Sequence, residues 1–198
     1  MKDFILHKKN ALSSTECKNI IDFFESNKDL HIDPEYPPRD GIAMGGGTLK
    51  VIPTPPSVRI CTEMYLRESP INEFLGKGMN KCLEDYKKDY PFVEKLGKWS
   101  CFNTFKIQKY NPGEGYFALH CENDHVDGQA EYRVLGWMFY LNNVYDEGYT
   151  EFPNQEKKFQ PREGECLICP AYFTHTHKGI VSKTETKYIV TGWFSYNM

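Results

Sequence analysis

"KIQKYNPGEGYFALHCENDHVDG", residues 106–128, decides the fold class. Two β-type runs flank an Asn-Pro-Gly-Glu-Gly turn, and a second turn-rich segment, "NDHVDG", closes the pair. From Gly97 onward this rhythm repeats. "SCFNTFKIQKY", "GYFALHCE", "YRVLGWMFYLN", "TEFP", "KKFQP", "ECLICP" and "KYIVTGWFSY" are separated by NPGEG, NDHVDG, DEG, PNQE, PREG and SKTET. Many short strands at regular spacing imply a sandwich or barrel. No segment in this half has the length and period of a crossover helix, which argues against a parallel doubly wound sheet.

Upstream the pattern is different. "LSSTECKNIIDFFESN" has Ser13 and Glu16 at capping-box spacing, followed by Cys17, Ile20, Ile21 and Phe24 in helical phase. A second helix is expected from Ser69, with Pro70 at its first position, to Tyr90. Between them, residues 31–57 are rich in Pro and Gly and read as a long loop, a candidate lid. The expectation is a mainly β protein with flanking helices. It forms one domain over 1–198, in which 1–99 give helical and loop support and 100–198 the β core.

The chain has 198 residues, 40% hydrophobic and 15% aromatic, enough for one folded core. A net charge of −3 with scattered lysines gives no basic stripe, so no nucleic-acid partner is expected. No apolar run is long enough to span a bilayer, and "MKDFILHKKN" lacks a signal-like apolar core. With seven cysteines in no regular framework, a cytoplasmic protein with reduced thiols is expected. Cys166-x-x-Cys169 has no second CxxC to complete a zinc site and reads as part of a buried strand.

In an extended chain, residues i and i+2 share a face. His120 and Glu122 would then project together with Cys121 turned away, and His125 and Asp127 repeat the spacing. Histidine and carboxylate on one face, joined by a distant histidine, could hold a divalent metal with open positions. His175 and His177 are the distal candidates, and Lys187 follows His177 by ten residues. A cation there would suit the far end of a chelating dicarboxylate.

Taken together, "QKYNPGEGYFALHCE", "YLNNVYDEGYTEFPN" and "PREGECLICPAYFTHTHKGIVSKTETKYIVTGWF" resemble the iron- and 2-oxoglutarate-dependent dioxygenases, in particular the short microbial and viral prolyl 4-hydroxylase-like branch. The resemblance covers roughly residues 100–196. It implies a double-stranded β-helix, the cupin-like jelly roll. It assigns His120, Glu122 and His177 to iron, and Lys187, with Tyr110 and Trp193 beside it, to 2-oxoglutarate. That leaves His125 and Asp127 as loop residues or a substrate-side contact, and His175 as a neighbour that hydrogen-bonds nearby or faces substrate. Ascorbate is a candidate reductant. The foremost implied activity is C–H hydroxylation of a prolyl peptide or protein. A free amino acid, another small molecule, or a non-catalytic binding module are the alternatives. Three positions depart from the family pattern: Glu122 replaces the commoner Asp, Gly136 stands where many members carry Thr, and "GIVSK" replaces the usual Pro-Val.

Overall fold

The computed structural model of the chain describes residues 2–44, 47–67, 69–101, 104–124 and 132–197. Its strands in chain order are β1 (Leu6–Lys8), β2 (Ile42–Met44), β3 (Gly47–Leu49), β4 (Arg59–Ile60), β5 (Thr62–Leu66), β6 (Trp99–Cys101) and β7 (Phe105–Tyr110). There follow β8 (Gly115–Tyr116), β9 (Arg133–Tyr140), β10 (Thr150–Phe152), β11 (Lys157–Phe159), β12 (Cys166–Pro170), β13 (Lys178–Gly179) and β14 (Lys187–Tyr196). Two α-helices, α1 (Ser14–Ser26) and α2 (Asn72–Asp89), precede the β-rich half.

The main sheet runs β1-β12-β9-β14-β7-β5, with β6 also paired to β14, and its pairings are antiparallel. A smaller sheet, β11-β10-β13, belongs to the opposite wall, and the fold is a jelly roll. Period-two alternation divides the main sheet's side chains between two faces. Ile107, Leu135, Phe139, Ile168, Val190 and Phe194 pack in one cluster with Cys17, Ile20 and Phe24 of α1 and Leu75, Met79 and Cys82 of α2. The intervening residues, among them Lys106, Gln108, Tyr110, Gly136, Lys187, Ile189, Thr191 and Trp193, line a cavity of about 670 Å³. One face thus anchors the helices, and the other is free for chemistry.

The first helix follows its sequence signals. Glu16 N–H donates to Ser13 Oγ, Ser13 N–H donates back to Glu16 Oε2 at 2.8 Å, and Cys17, Ile20 and Phe24 are fully buried. The second helix starts three residues later than expected, because Ile71 occupies the cap position and Pro70 lies outside the helix. Ser69 Oγ instead bonds the Asn72 side chain at 2.6 Å. Within the proposed loop, β2 and β3 form a short hairpin. Nor are the first hundred residues only helical support, since β1 and β5 form the two edges of the main sheet. The sequence hides β5 because Glu63 and Tyr65, both polar, alternate with Met64 and Leu66. The polar pair faces the cavity side, and Met64 and Leu66 face the helices.

Among the described residues no helix is long and apolar enough to cross a membrane. Residues 2–5 are fastened both to α2 and to the β-rich half. The Asp3 carboxylate pairs with Lys157 and Tyr90, and its carbonyl accepts from His175 Nε2 at 2.8 Å.

Phe139 sits mid-strand with no exposed surface. Phe139→Ala should cost about 3–5 kcal/mol of unfolding free energy, read by urea denaturation as a lower midpoint at unchanged slope.

Candidate active site

The site begins with one pair of backbone hydrogen bonds. His120 N–H donates to His177 carbonyl at 3.0 Å, and His177 N–H returns to His120 carbonyl at 2.8 Å, an isolated bridge outside any ladder. The expected extended run through Glu122 is absent. After β8 the chain makes only this bridge and then turns, with Asn123 N–H donating to Ala171 carbonyl at 2.9 Å. Cys121, expected to face away, therefore also lies in the cavity wall. His120 and Glu122 converge because of the turn.

One imidazole nitrogen from each of His120 and His177 and one carboxylate oxygen of Glu122 lie within 4.8 Å of one another. Each histidine has its Nδ1 on a backbone carbonyl, His120 on Ala118 at 3.1 Å and His177 on His175 at 3.0 Å. That fixes the tautomer and turns both Nε2 atoms toward the cavity, as a metal ligand requires. Rings hold the imidazoles in place. Tyr116 stacks on His120 at 3.7 Å with planes 5° apart, and Phe152 stacks on His177 at 4.9 Å.

Charge favours the same arrangement. Burial, with help from neighbouring His177, pushes the His120 pKa down to about 3, so its ring is neutral and can ligate. Burial alone would lower His177 and raise Glu122. Their mutual contact, His177 Nε2 to Glu122 Oε1 at 3.2 Å, outweighs it and shifts both the other way. Glu122 is further held by Trp193 Nε1, donating to Oε2 at 2.5 Å, and by Arg133 Nη1, donating to its carbonyl at 2.9 Å. The Arg133 guanidinium lies over the Trp193 ring at 3.8 Å. Two imidazole nitrogens and a carboxylate, open on one side, fit a divalent metal such as Fe(II).

Lys187 is 5% exposed. Its Nζ donates to Gly148 carbonyl at 3.1 Å and lies 4.9 Å from the centre of the Tyr110 ring. Burial pulls its pKa down to about 8. Among the described residues no carboxylate pairs with it, so a buried ammonium faces the cavity with only a carbonyl and a ring to satisfy it. One end of a dicarboxylate fits that deficit.

All six residues expected to form the site line this single cavity. Trp193, expected beside the cosubstrate, lines the same cavity as Lys187 and also donates to the Glu122 carboxylate. His175 points away to Asp3, and Cys166 and Cys169 are buried free thiols in β12. His125 and Asp127 lie outside the described residues. Sequence reading missed Tyr116, Phe152 and Arg133, whose roles depend on ring and guanidinium contacts that no spacing rule signals. It also missed Arg59 and Lys106.

Two of the sequence departures prove to be one. A Cβ on Gly136 would sit 2.9 Å from Glu122 Cγ, the methylene that Asp lacks. The missing side chain at 136 makes room for the longer carboxylate at 122. Gly136→Ala should therefore push Glu122 from its place between Trp193 and Arg133 and weaken Mn(II) or Fe(II) binding by about tenfold or more, measured calorimetrically. Glu122→Asp combined with Gly136→Ala should recover part of the loss.

Residues 105–195 match the family model described as the 2OG-Fe(II) oxygenase superfamily. A putative prolyl 4-hydroxylase of Acanthamoeba polyphaga mimivirus is 33% identical over 133 residues, 54% of each chain, so the present chain spans about half the length of that curated relative. Among solved structures, the viral collagen prolyl hydroxylase of Paramecium Bursaria Chlorella virus-1, in complex with 2OG, superposes with a TM-score of 0.70 at 18% identity. The match covers 98% of this chain and 97% of that one. A prolyl hydroxylase of Trichoplax adhaerens, in complex with a hypoxia inducible factor oxygen degradation domain peptide fragment, superposes with a TM-score of 0.66 at 16% identity, covering 98% and 84%. The fold is thus shared along nearly the whole length of the chain, and its residues 105–195, from β7 to β14, carry the pattern of the 2OG-Fe(II) oxygenase superfamily.

Proposed function

We propose that the chain, acting as one domain, is an Fe(II)- and 2-oxoglutarate-dependent hydroxylase acting on a C–H bond of a prolyl peptide or protein. The observation that carries the reading is the meeting of His120, Glu122 and His177 on the same cavity as an unneutralised, buried Lys187. The names of the relatives support prolyl chemistry. All seven cysteines are free thiols, which supports a reducing, cytoplasmic setting.

In this reading His120 and His177 supply neutral Nε2 donors and Glu122 one carboxylate oxygen. Iron and 2-oxoglutarate, when bound, supply the oxidising power, with ascorbate as reductant of the resting metal. The protein's residues do the positioning. Lys187 holds the far carboxylate of the cosubstrate against Tyr110, fixing which end faces the metal. Trp193 and Arg133 keep Glu122 from swinging away. The apolar walls, Phe152, Leu167 and Ile189 among them, exclude water from the reacting centre. Thr48 to Pro55 form part of the cavity wall, which supports a lid role for that segment.

Succinate release against a panel of proline-containing peptides and free amino acids tests the proposal, and no turnover with any of them would overturn it. His177→Ala should lose the metal, measured by bound iron. Lys187→Ala should keep the metal and raise the KM for 2-oxoglutarate about tenfold or more.

The pH dependence has a defined sign. Lys187 is charged below about pH 8 and loses its proton above it, so apparent affinity for 2-oxoglutarate should fall as pH rises through 8. Lys187→Arg keeps its charge at every working pH and should flatten that profile.

A further inference from the structure

A second cationic group lines the cavity, away from Lys187. Lys106 lies opposite Tyr65 on β5 and Thr191 on β14, so it stands in the sheet row next to Trp193. Its Nζ is 5.5 Å from the centre of the Trp193 ring. One row nearer Lys187, Glu63 is completely buried. Its Oε1 is approached by Gln108 Nε2 at 2.6 Å, Arg59 at 3.2 Å and Lys106 at 3.4 Å, while Tyr65 donates to Oε2 at 2.8 Å. One carboxylate thus faces two buried cations, and its nearer oxygen has more donors than lone pairs. Lys106 holds the longest of these contacts.

The imbalance continues into the neighbouring atoms. Among the described residues, Thr191 Oγ1, across from Lys106, and Arg59 Nε are both buried without a hydrogen-bond partner. Buried polar atoms in native proteins are nearly always paired, and a buried charge needs an opposite charge. Lys106, Thr191 and Arg59 all line the cavity; the ammonium has only a shared 3.4 Å contact to Glu63, and the hydroxyl and the guanidinium Nε have no acceptor among the described residues. They share one solution, an anion with two oxygens. Lys187 and Lys106 stand four residues apart on β7's register, Lys187 opposite Tyr110 and Lys106 opposite Thr191, so a cosubstrate held by Lys187 leaves this second group for another molecule.

We propose that Lys106 and Thr191, supported by Arg59, form a carboxylate-recognition subsite for the substrate. The hydroxylated molecule then carries a carboxylate near its target carbon, either an acidic side chain in a peptide or the α-carboxylate of a free amino acid. This rests on the hydroxylase reading for its setting, but carboxylate recognition is measurable without turnover.

Matched pairs make the test: a short prolyl peptide with Glu or Gln beside the proline, and L-proline against L-prolinamide. Each is titrated calorimetrically into Mn(II)- and 2-oxoglutarate-loaded protein without oxygen, and each is assayed for succinate release with Fe(II). The acid member of one pair should bind about tenfold or more tightly than its amide, and which pair responds identifies the source of the carboxylate. Lys106→Met should abolish the preference while leaving 2-oxoglutarate affinity intact, and Thr191→Val should reduce it. Melting curves check that both variants fold. Acid preference in calorimetry without turnover would keep the subsite and remove the prolyl hydroxylase reading. Equal binding of acid and amide in both pairs, or no binding by either, would overturn the subsite. Loss of 2-oxoglutarate affinity in Lys106→Met would reassign the group to the cosubstrate and overturn it too.

Discussion

Two backbone hydrogen bonds between His120 and His177 hold the centre of this molecule together. They join segments 57 positions apart in the chain, outside any regular ladder, and they bring the two imidazoles to a ring separation of 4.4 Å. Local preferences cannot supply this contact. It is set between β8, paired with β4, and β13, paired with β10, which touch each other beside the main sheet, and that sheet's far face is buried under two helices. The apolar core is thus used to set the position of one irregular bridge.

Much of this was legible in the sequence, and the parts that were not share a cause. The capping box of α1 is local chemistry, readable from Ser13 and Glu16 alone. Strands β9, β12 and β14 were readable because their apolar runs are long and well punctuated. That His120, Glu122, His177 and Lys187 would meet was legible from their spacing, which resembles that of the 2OG-Fe(II) oxygenases, and the four line one cavity. β5 was hidden, since its inward residues are Glu63 and Tyr65, and a polar cavity face erases the apolar alternation that signals a strand. The geometry at Glu122 was misread for a related reason: a strand rule was applied to a turn, and His120 and Glu122 meet by a different route. Cys121 marks the difference, since it joins the cavity lining that an extended chain would have turned it from.

Position 136 shows how substitutions can look like losses when taken singly. A longer carboxylate would be displaced by a side chain at 136, and a bare glycine would leave a shorter carboxylate unsupported. Together they preserve the placement of two oxygens, with Trp193 on one and His177 on the other. The two positions are far apart in sequence and adjacent in space, so the exchange becomes intelligible only once the turn after His120 is known. The cavity's cations follow a similar logic. Lys187 and Lys106 are both costly to bury, and each is poorly neutralised by the protein, which leaves both to be completed from outside.

The fastening of residues 2–5 has a practical meaning for anyone handling this protein. Asp3 reaches His175 through its carbonyl and Lys157 and Tyr90 through its carboxylate, and His175 is two peptide units from His177. Affinity tags and protease scars are usually added at the front of a chain on the assumption that it is remote from chemistry. Here a bulky fusion or a cut near position 3 would pull on the segment that carries an imidazole of the metal-facing set.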